Sequence, residues 1–433
     1  MGMGTCKDLT PDKIEQAIIR YEELLQPVLS FYNQFHVLIY KFLCILGVLS
    51  NICIVVVLMR PAMRRNPFNV FLVAIAICDM TLMASYFVFK QVEDCNPIYY
   101  TYGWVVFTLV YALLSVFVHS ASLWLTVNMA VLRFFVLRDS SNTGSSRWNN
   151  YRSAIISVFL ALLFSLVGAA PNMLRYEIED KGPAEVPHHC LKNGSTYAKF
   201  YKEDELINSY TIGQPVFWNC SWERFSFWVA GIMLKLIPCL LLTVFMTLLV
   251  RMLVEARERR SRLCANNSGS ASGSNCGKTS ASTGKTQAER TTAMLTMIVA
   301  LFLITELPQG ILVFAIGIKP EMRFAMYYLG NILDLLSLLN SSVNFILYST
   351  MSNLFRREFL ETFGFCCPQP LRKWNSKRRL ASGKASTKSR NPGLGTPALP
   401  DPQNGARKAQ LREIRSSEQT QRLIEDGENE IVC

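Results

Sequence analysis

Seven stretches of this sequence are each long and apolar enough to cross a bilayer as a helix, which takes about 20 residues. They fall at about 35–60, 68–89, 104–137, 153–174, 224–252, 291–316 and 324–349. In lipid every backbone N–H and C=O must find its partner inside the segment, so such stretches become helices packed against one another. The expected fold is an all-α membrane protein, a seven-transmembrane helix bundle. Composition agrees: half of the 433 residues are apolar and only 18% are charged, against roughly 25% in soluble domains.

Charge sets the orientation. One alternating set of loops, with Arg60, Arg64, Arg65, the 133–152 stretch, the 251–290 loop and the tail, holds 30 Lys and Arg, against 12 in the other set. The basic set is expected in the cytoplasm. Residues 1–34 then form an extracellular segment, 35–364 the membrane domain and 365–433 a cytoplasmic tail in a multi-pass plasma-membrane protein. No signal peptide is expected in 1–34, where Lys7, Asp8, Asp12, Lys13, Glu15, Arg20, Glu22 and Glu23 interrupt any apolar core. The net charge of +12 reads as a topology signature with the bilayer as partner, not as nucleic-acid binding.

On this topology Cys6, Cys95, Cys190 and Cys220 face the oxidising side. Four such cysteines allow three pairings, which sequence leaves open; at least one disulfide is expected, with Cys95 joined to either Cys190 or Cys220 as the first choice. Asn193 and Asn219 head sequons in the long outer loop and are expected to be glycosylated, whereas those at Asn266 and Asn340 fall in the cytosol and the membrane.

The inner loop 253–290 starts as a basic helical extension and becomes Ser/Gly-rich from Ala265 to Thr286, which marks a flexible insert. Its GSNCGKT run misses the phosphate-loop spacing by one residue and follows no strand, so it carries no nucleotide-binding argument. After the seventh span, residues 352–363 place Leu354, Phe355, Phe359 and Phe363 near one face and Arg356, Arg357, Glu358 and Glu361 mainly around the other. A short amphipathic helix on the inner leaflet is expected. Cys366 and Cys367 follow it as palmitoylation candidates. The remaining tail is basic, contains Pro and is poor in apolar residues, the composition of disorder.

Polar groups inside spans need a partner or a cavity. In the third span Ser115, His119, Ser122, Thr126 and Arg133 recur at helical steps, as do Asn331, Asp334, Ser337, Ser341, Asn344 and Tyr348 in the seventh. Both stripes must face the bundle interior. Asp79, Lys235 and Glu306 add three charges, with Pro238 and Pro308 nearby.

In this order, each on its own span, Gly47 and Asn51 in GVLSN, Asp79 in AIAICD, Ser122 and Arg133 in SLWLTVNMAVLRF, Pro238 in KLIPC, Pro308 in TELPQG, and Asn344 and Tyr348 in NFILY resemble the rhodopsin-like G-protein-coupled receptors over roughly 37–365. The runs HSASLWLTV, KLIPCLLLT, TELPQGIL and NSSVNFILY look like the invertebrate myosuppressin and FMRFamide-type neuropeptide receptor branch. The chain departs from the family pattern at four places. Leu132 stands for the acid before the third-helix Arg, Glu306 for the aromatic before the sixth-helix Pro, Phe345 for the Pro after the seventh-helix Asn, and Thr108 for the outer third-helix Cys.

The resemblance implies a receptor, not an enzyme, that binds an extracellular peptide and signals through a heterotrimeric G protein, with arrestin and receptor kinases acting on the tail. Arg133, Tyr348 and Asn344 would couple to the G protein, with Glu289 at the base of the sixth helix as the candidate partner of Arg133 in place of the missing acid. Asp79, Ser122, Asn340 and Asn344 match the family's sodium-binding cluster, and no other cofactor is implied. The resemblance argues against an amine ligand, because Ser115 occupies the place of the amine-binding Asp, and against an opsin, because the seventh span has no Lys. The branch implies a short amidated peptide ending in Arg-Phe-amide. Candidate ligand residues are Asp334, Glu306, Lys235, His119, Ser115 and Tyr111, with Trp104, Phe107 and Phe314 as further aromatic partners. Asp334 is expected to meet the ligand's guanidinium, while the deeper Glu306 is occupied by Lys235. A receptor for a lipid-like ligand and a membrane transporter are the alternatives.

Overall fold

A computed structural model describes residues 11–92, 94–143, 146, 148–191, 197–201, 206–267 and 279–364. Within its helices the side chains of 140–143, 260–267 and 279–295, and of a few single positions, are not described. Among the described residues seven helices are long and apolar enough to span a membrane: Leu29–Leu58, Phe68–Phe89, Tyr102–Asp139, Tyr151–Met173, Cys220–Ala256, Thr296–Ile318 and Pro320–Thr350. We call the side on which the first span begins the amino face and the opposite side the carboxyl face.

The spans agree with those expected from sequence to within a few residues, apart from the first. That helix begins at Pro11 and runs unbroken to Leu58. Pro11 and Asp12 suit a helix start, and Asp12, Lys13, Glu15, Arg20, Glu22 and Glu23 do not break the helix. Along its outward face Phe35, Leu38, Phe42, Ile45, Leu49, Ile52 and Val56 are exposed to the surroundings, as lipid-facing residues must be.

The largest core lies toward the carboxyl face, where Ile54, Leu58, Phe71, Leu72, Leu125, Leu132 and Phe355 are buried together. A second cluster joins Leu123, Val127 and Ala130 of the third helix to Leu242, Met246 and Leu249 of the fifth and Phe302 of the sixth. Leu132 is thus committed to packing at 4% exposure, which explains why an acid is missing there. Phe345, in place of a proline, meets Phe355 and Phe359 edge to face at centroid distances of 6.2 and 5.6 Å.

The helix after the seventh span, Asn353–Phe363, is capped by Ser352, whose Oγ accepts from Phe355 N at 2.9 Å. Such a cap is worth about 1 kcal/mol. Glu358, assigned by sequence to the polar face, is instead buried, because Arg60 Nε reaches it at 3.2 Å while Arg60 Nη1 donates to Thr362 at 2.7 Å.

At the amino face the long loop contains two strands not foreseen in an all-α fold. β1 (Glu177–Glu185) pairs antiparallel with β2 (Leu206–Gly213), from Glu177 opposite Gly213 to Glu185 opposite Leu206, with a register shift between Asp180 and Pro183. Gly182 has φ +67°, which a side chain would strain, and its N–H donates to Asp180 Oδ1 at 2.8 Å. Cys95 and Cys190 form a disulfide that ties this loop to the turn before the third helix. Of the two partners put first from sequence, Cys190 is therefore that of Cys95, and Cys220 is disulfide-bonded as well.

Candidate functional site

The fifth helix is not a regular α-helix. Between Cys220–Val229 and Ile237–Asn267 it makes a π-helical turn, Ala230–Leu236. Pro238 follows immediately and cannot donate a backbone hydrogen bond. Two glycines bring the sixth helix close to this turn. A Cβ on Gly231 would lie 2.9 Å from Phe314 N, and one on Gly310 would lie 2.8 Å from Lys235 Cβ. The widened turn and the close approach together deliver Lys235 into the bundle interior.

Lys235 Nζ lies 2.5 Å from Glu306 Oε2, 2.7 Å from His119 Nε2 and 3.1 Å from Gln309 Oε1. His119 Nε2 also lies 3.1 Å from Glu306 Oε2. An ammonium only donates and a carboxylate only accepts, so His119 Nε2 stands between a donor and an acceptor. Gln309 continues the chain of bonds, donating to Leu333 O at 2.8 Å and Ser337 Oγ at 3.1 Å. The third, fifth, sixth and seventh helices thus share one polar knot. Its energetic weight is set by burial: Glu306 is fully buried, and its Oε1 has no hydrogen-bond partner. The resemblance paired Glu306 with Lys235, and the polar stripe of the third span turned His119 inward; Gln309 was missed, although it follows Glu306 by three residues, about one helical turn.

Asp334 sits nearer the amino face. Tyr86, Tyr111, Tyr32 and Lys90 surround it electrostatically. Among the described residues no salt bridge neutralises it: Lys90 Nζ donates to Asn331 Oδ1 at 3.2 Å and stands 5.5 Å over the Tyr86 ring. Tyr111 stacks on Phe89 at 4.4 Å and Trp104 on Phe107 at 4.9 Å. Ser115 turns back to Ala112 O at 3.2 Å, an ordinary intrahelical bond. Sequence missed Tyr86, on the second helix, and Lys90, which caps its end, because neither belongs to a polar stripe.

Asp79 accepts from Ser122 Oγ at 2.9 Å on one oxygen and from Asn344 Nδ2 at 2.7 Å on the other. Ser341 Oγ lies beside it, buried without a hydrogen-bond partner. Carboxylate and hydroxyl oxygens in this arrangement suit a hard monovalent cation. Asn340, named from sequence, is not among the groups that bond Asp79; the side chain beside the carboxylate is that of Ser341, one residue on and so turned by about 100° around the helix.

Toward the carboxyl face Arg133 is 8% exposed and lies 5.4 Å over the Phe68 ring. Tyr348 packs near Phe355 at 6.4 Å. The Glu289 side chain, Asn193, Cys366, Cys367 and the tail lie outside the described residues. Asn219 is described: it is exposed, and its Oδ1 caps the fifth helix by accepting from Ser221 N and Trp222 N at 3.0 and 3.1 Å. Over the mouth, Tyr100 donates to Asp94 Oδ1 at 3.2 Å. Burial and that carboxylate push its hydroxyl above the ordinary tyrosine range.

A family model described as serpentine type 7TM GPCR chemoreceptor Srw matches residues 35–366. Among curated proteins the chain is similar to the G-protein coupled receptor dmsr-1 of Caenorhabditis elegans, 33% identical over 381 residues that cover 78% of this chain and 69% of the relative. It is also similar to the Sex peptide receptor of Drosophila melanogaster, at 26% over 337 residues, 74% of this chain and 71% of that one. The FMRFamide receptor of Drosophila melanogaster is 22% identical over 329 residues, 74% of this chain and 52% of that protein.

Proposed function

The chain belongs to the serpentine seven-transmembrane G-protein-coupled receptor family, and from that membership we propose that it is a plasma-membrane receptor for a short amidated peptide, with the amino face outside the cell. The relatives named for peptides and the basic loops on the carboxyl face support this reading. The observation that carries the ligand class is Asp334, a half-buried carboxylate toward the amino face with no salt bridge among the described residues and with Lys90 acting on it from beyond ion-pair distance, while the deeper Glu306 is taken by Lys235. A guanidinium leaving water needs a carboxylate in exchange, so Asp334 receives the arginine of an Arg-Phe-amide terminus. Tyr111, Trp104 and Phe107 offer apolar surface to the terminal ring. Glu306, Lys235 and His119 form the floor below it.

Movement at that floor reaches the G protein through the third and seventh helices, which carry Arg133, Asn344 and Tyr348. Asp79, Ser122 and Ser341 would hold a sodium ion between the two, and tail phosphorylation would recruit arrestin. The test is Asp334→Asn in cells, with synthetic Arg-Phe-amide peptides and a second-messenger readout. Losing one partner of a buried charge pair costs about 2 to 5 kcal/mol, so potency is expected to fall at least about tenfold with surface expression retained. Replacing the ligand's Arg by citrulline should cost less on the variant than on wild type. A normal response from Asp334→Asn excludes this assignment.

A further inference from the structure

At the amino face the ends of the fourth, fifth and seventh spans converge on a single carboxylate. Glu223, in the first turn of the fifth helix, has a side chain only 3% exposed. Its Oε1 lies 3.3 Å from Arg175 Nη2 and 3.4 Å from Arg323 Nη1. Arg175 follows the fourth helix, and its guanidinium lies over two rings, 5.4 Å from that of Tyr176 and 4.9 Å from that of Phe227. Arg323 opens the seventh helix, where its Nε donates to Pro320 O at 3.0 Å.

The charges at this junction do not balance. Among the described residues no second carboxylate pairs with either arginine, so two guanidiniums share one acid. Both of their contacts fall on the same oxygen, and three of the groups left over, Glu223 Oε2, Arg175 Nε and Arg323 Nη2, are buried with no hydrogen-bond partner. Unpaired charged donors away from water are costly. A planar guanidinium fork is satisfied best by the two oxygens of a carboxylate, and one carboxylate oxygen cannot serve two forks. The arginine side chains keep 17% and 22% exposure, so an anion can reach them from the amino face.

We propose that Arg175 and Arg323 form an anion-accepting subsite at the mouth of the bundle, which receives a carboxylate carried by the ligand and which Glu223 partly fills in the ligand-free receptor. The inference rests on the peptide reading above only for the bearer of that carboxylate, an acidic side chain upstream of the amidated end. The mouth then reads a ligand of both charge signs, basic at Asp334 and acidic at the arginine pair. Because Arg323 also holds Pro320, in the connection between the sixth and seventh helices, filling the subsite redistributes the bonds that fasten that connection to the fifth helix.

Two measurements decide it. Thermal unfolding of the purified receptor in detergent is compared in sodium acetate and in sodium chloride at equal ionic strength. Glu223→Ala opens the carboxylate seat, so acetate should raise its midpoint above chloride, and the added Arg323→Gln change should abolish that difference. In cells, Arg-Phe-amide peptides bearing Asp or Asn at each upstream position in turn are compared on wild type and Arg323→Gln. Wild type should prefer Asp at one position, and the variant should lose that preference by about tenfold, the lower end of what a broken buried charge pair costs. Equal action of acetate and chloride on Glu223→Ala, or the same Asp-to-Asn ratio in both receptors, overturns the subsite. If no Arg-Phe-amide peptide activates wild type, the peptide reading fails, and the acetate comparison still decides whether the arginines accept a carboxylate.

Discussion

Lys235, His119 and Glu306 meet where the sequence departs from the rhodopsin-like pattern, and the departure brings its own partners: an acid in place of an aromatic is stable there because the π turn supplies an ammonium at 2.5 Å. Removing Lys235 leaves a fully buried carboxylate uncompensated, which typically costs about 3 to 5 kcal/mol. Lys235→Met should therefore lower thermal stability sharply, and Lys235→Met with Glu306→Leu should recover much of the loss. A double variant as unstable as the single one would mean that the knot does not act as a charge pair. Asp79 makes a different prediction. Replacing potassium by sodium at constant ionic strength should change agonist affinity in wild type and not in Asp79→Asn; an identical sodium response in both removes the ion from this cluster. The stripe residues were legible from their spacing, but the partners across the bundle were not. Gln309, Tyr86, Lys90 and Glu223 are single polar residues whose meaning comes from another helix.

Helix existence followed from apolar length, since lipid leaves a long apolar run no other way to satisfy its backbone. Irregularity within the helices did not follow, and the π turn at Ala230–Leu236 is the case that matters most. It depends on Gly231 lying against the sixth-helix backbone, where a Cβ would come within 2.9 to 3.0 Å of Phe314. Backbone cannot yield as a flexible side chain does, so Gly231→Val should cost about 1 to 3 kcal/mol by overpacking. Gly330→Ala, where a Cβ meets nothing within 4 Å, should be neutral or slightly stabilising by helix propensity. Thermal unfolding of both variants in detergent checks this, and equal midpoints would count against the close approach. The hairpin was illegible for another reason. EIEDKGPAE carries four acids, a Lys, a Gly and a Pro, a poor strand by propensity, and it pairs only because β2 and the Cys95–Cys190 bond hold it in place.

For the whole molecule, orientation rests on the distribution of Lys and Arg. Glycosidase treatment should shift the mobility of the wild-type receptor less when Asn193 and Asn219 are changed to Gln, and antibodies to the tail should bind only permeabilised cells. Sugar on Asn266 would reverse the topology. The number of spans, their order and the polar stripes were fixed by residues alone, because burial in lipid acts on each segment separately and helical periodicity is local. The choice of Cys190 for Cys95, the inward turn of Glu358, the displacement of Asn340 by Ser341 beside Asp79, and the meeting of Arg175, Glu223 and Arg323 were decided only in three dimensions. Each is a pairing between segments distant in sequence, and distance, angle and desolvation at such a meeting arise from packing, which no single segment contains.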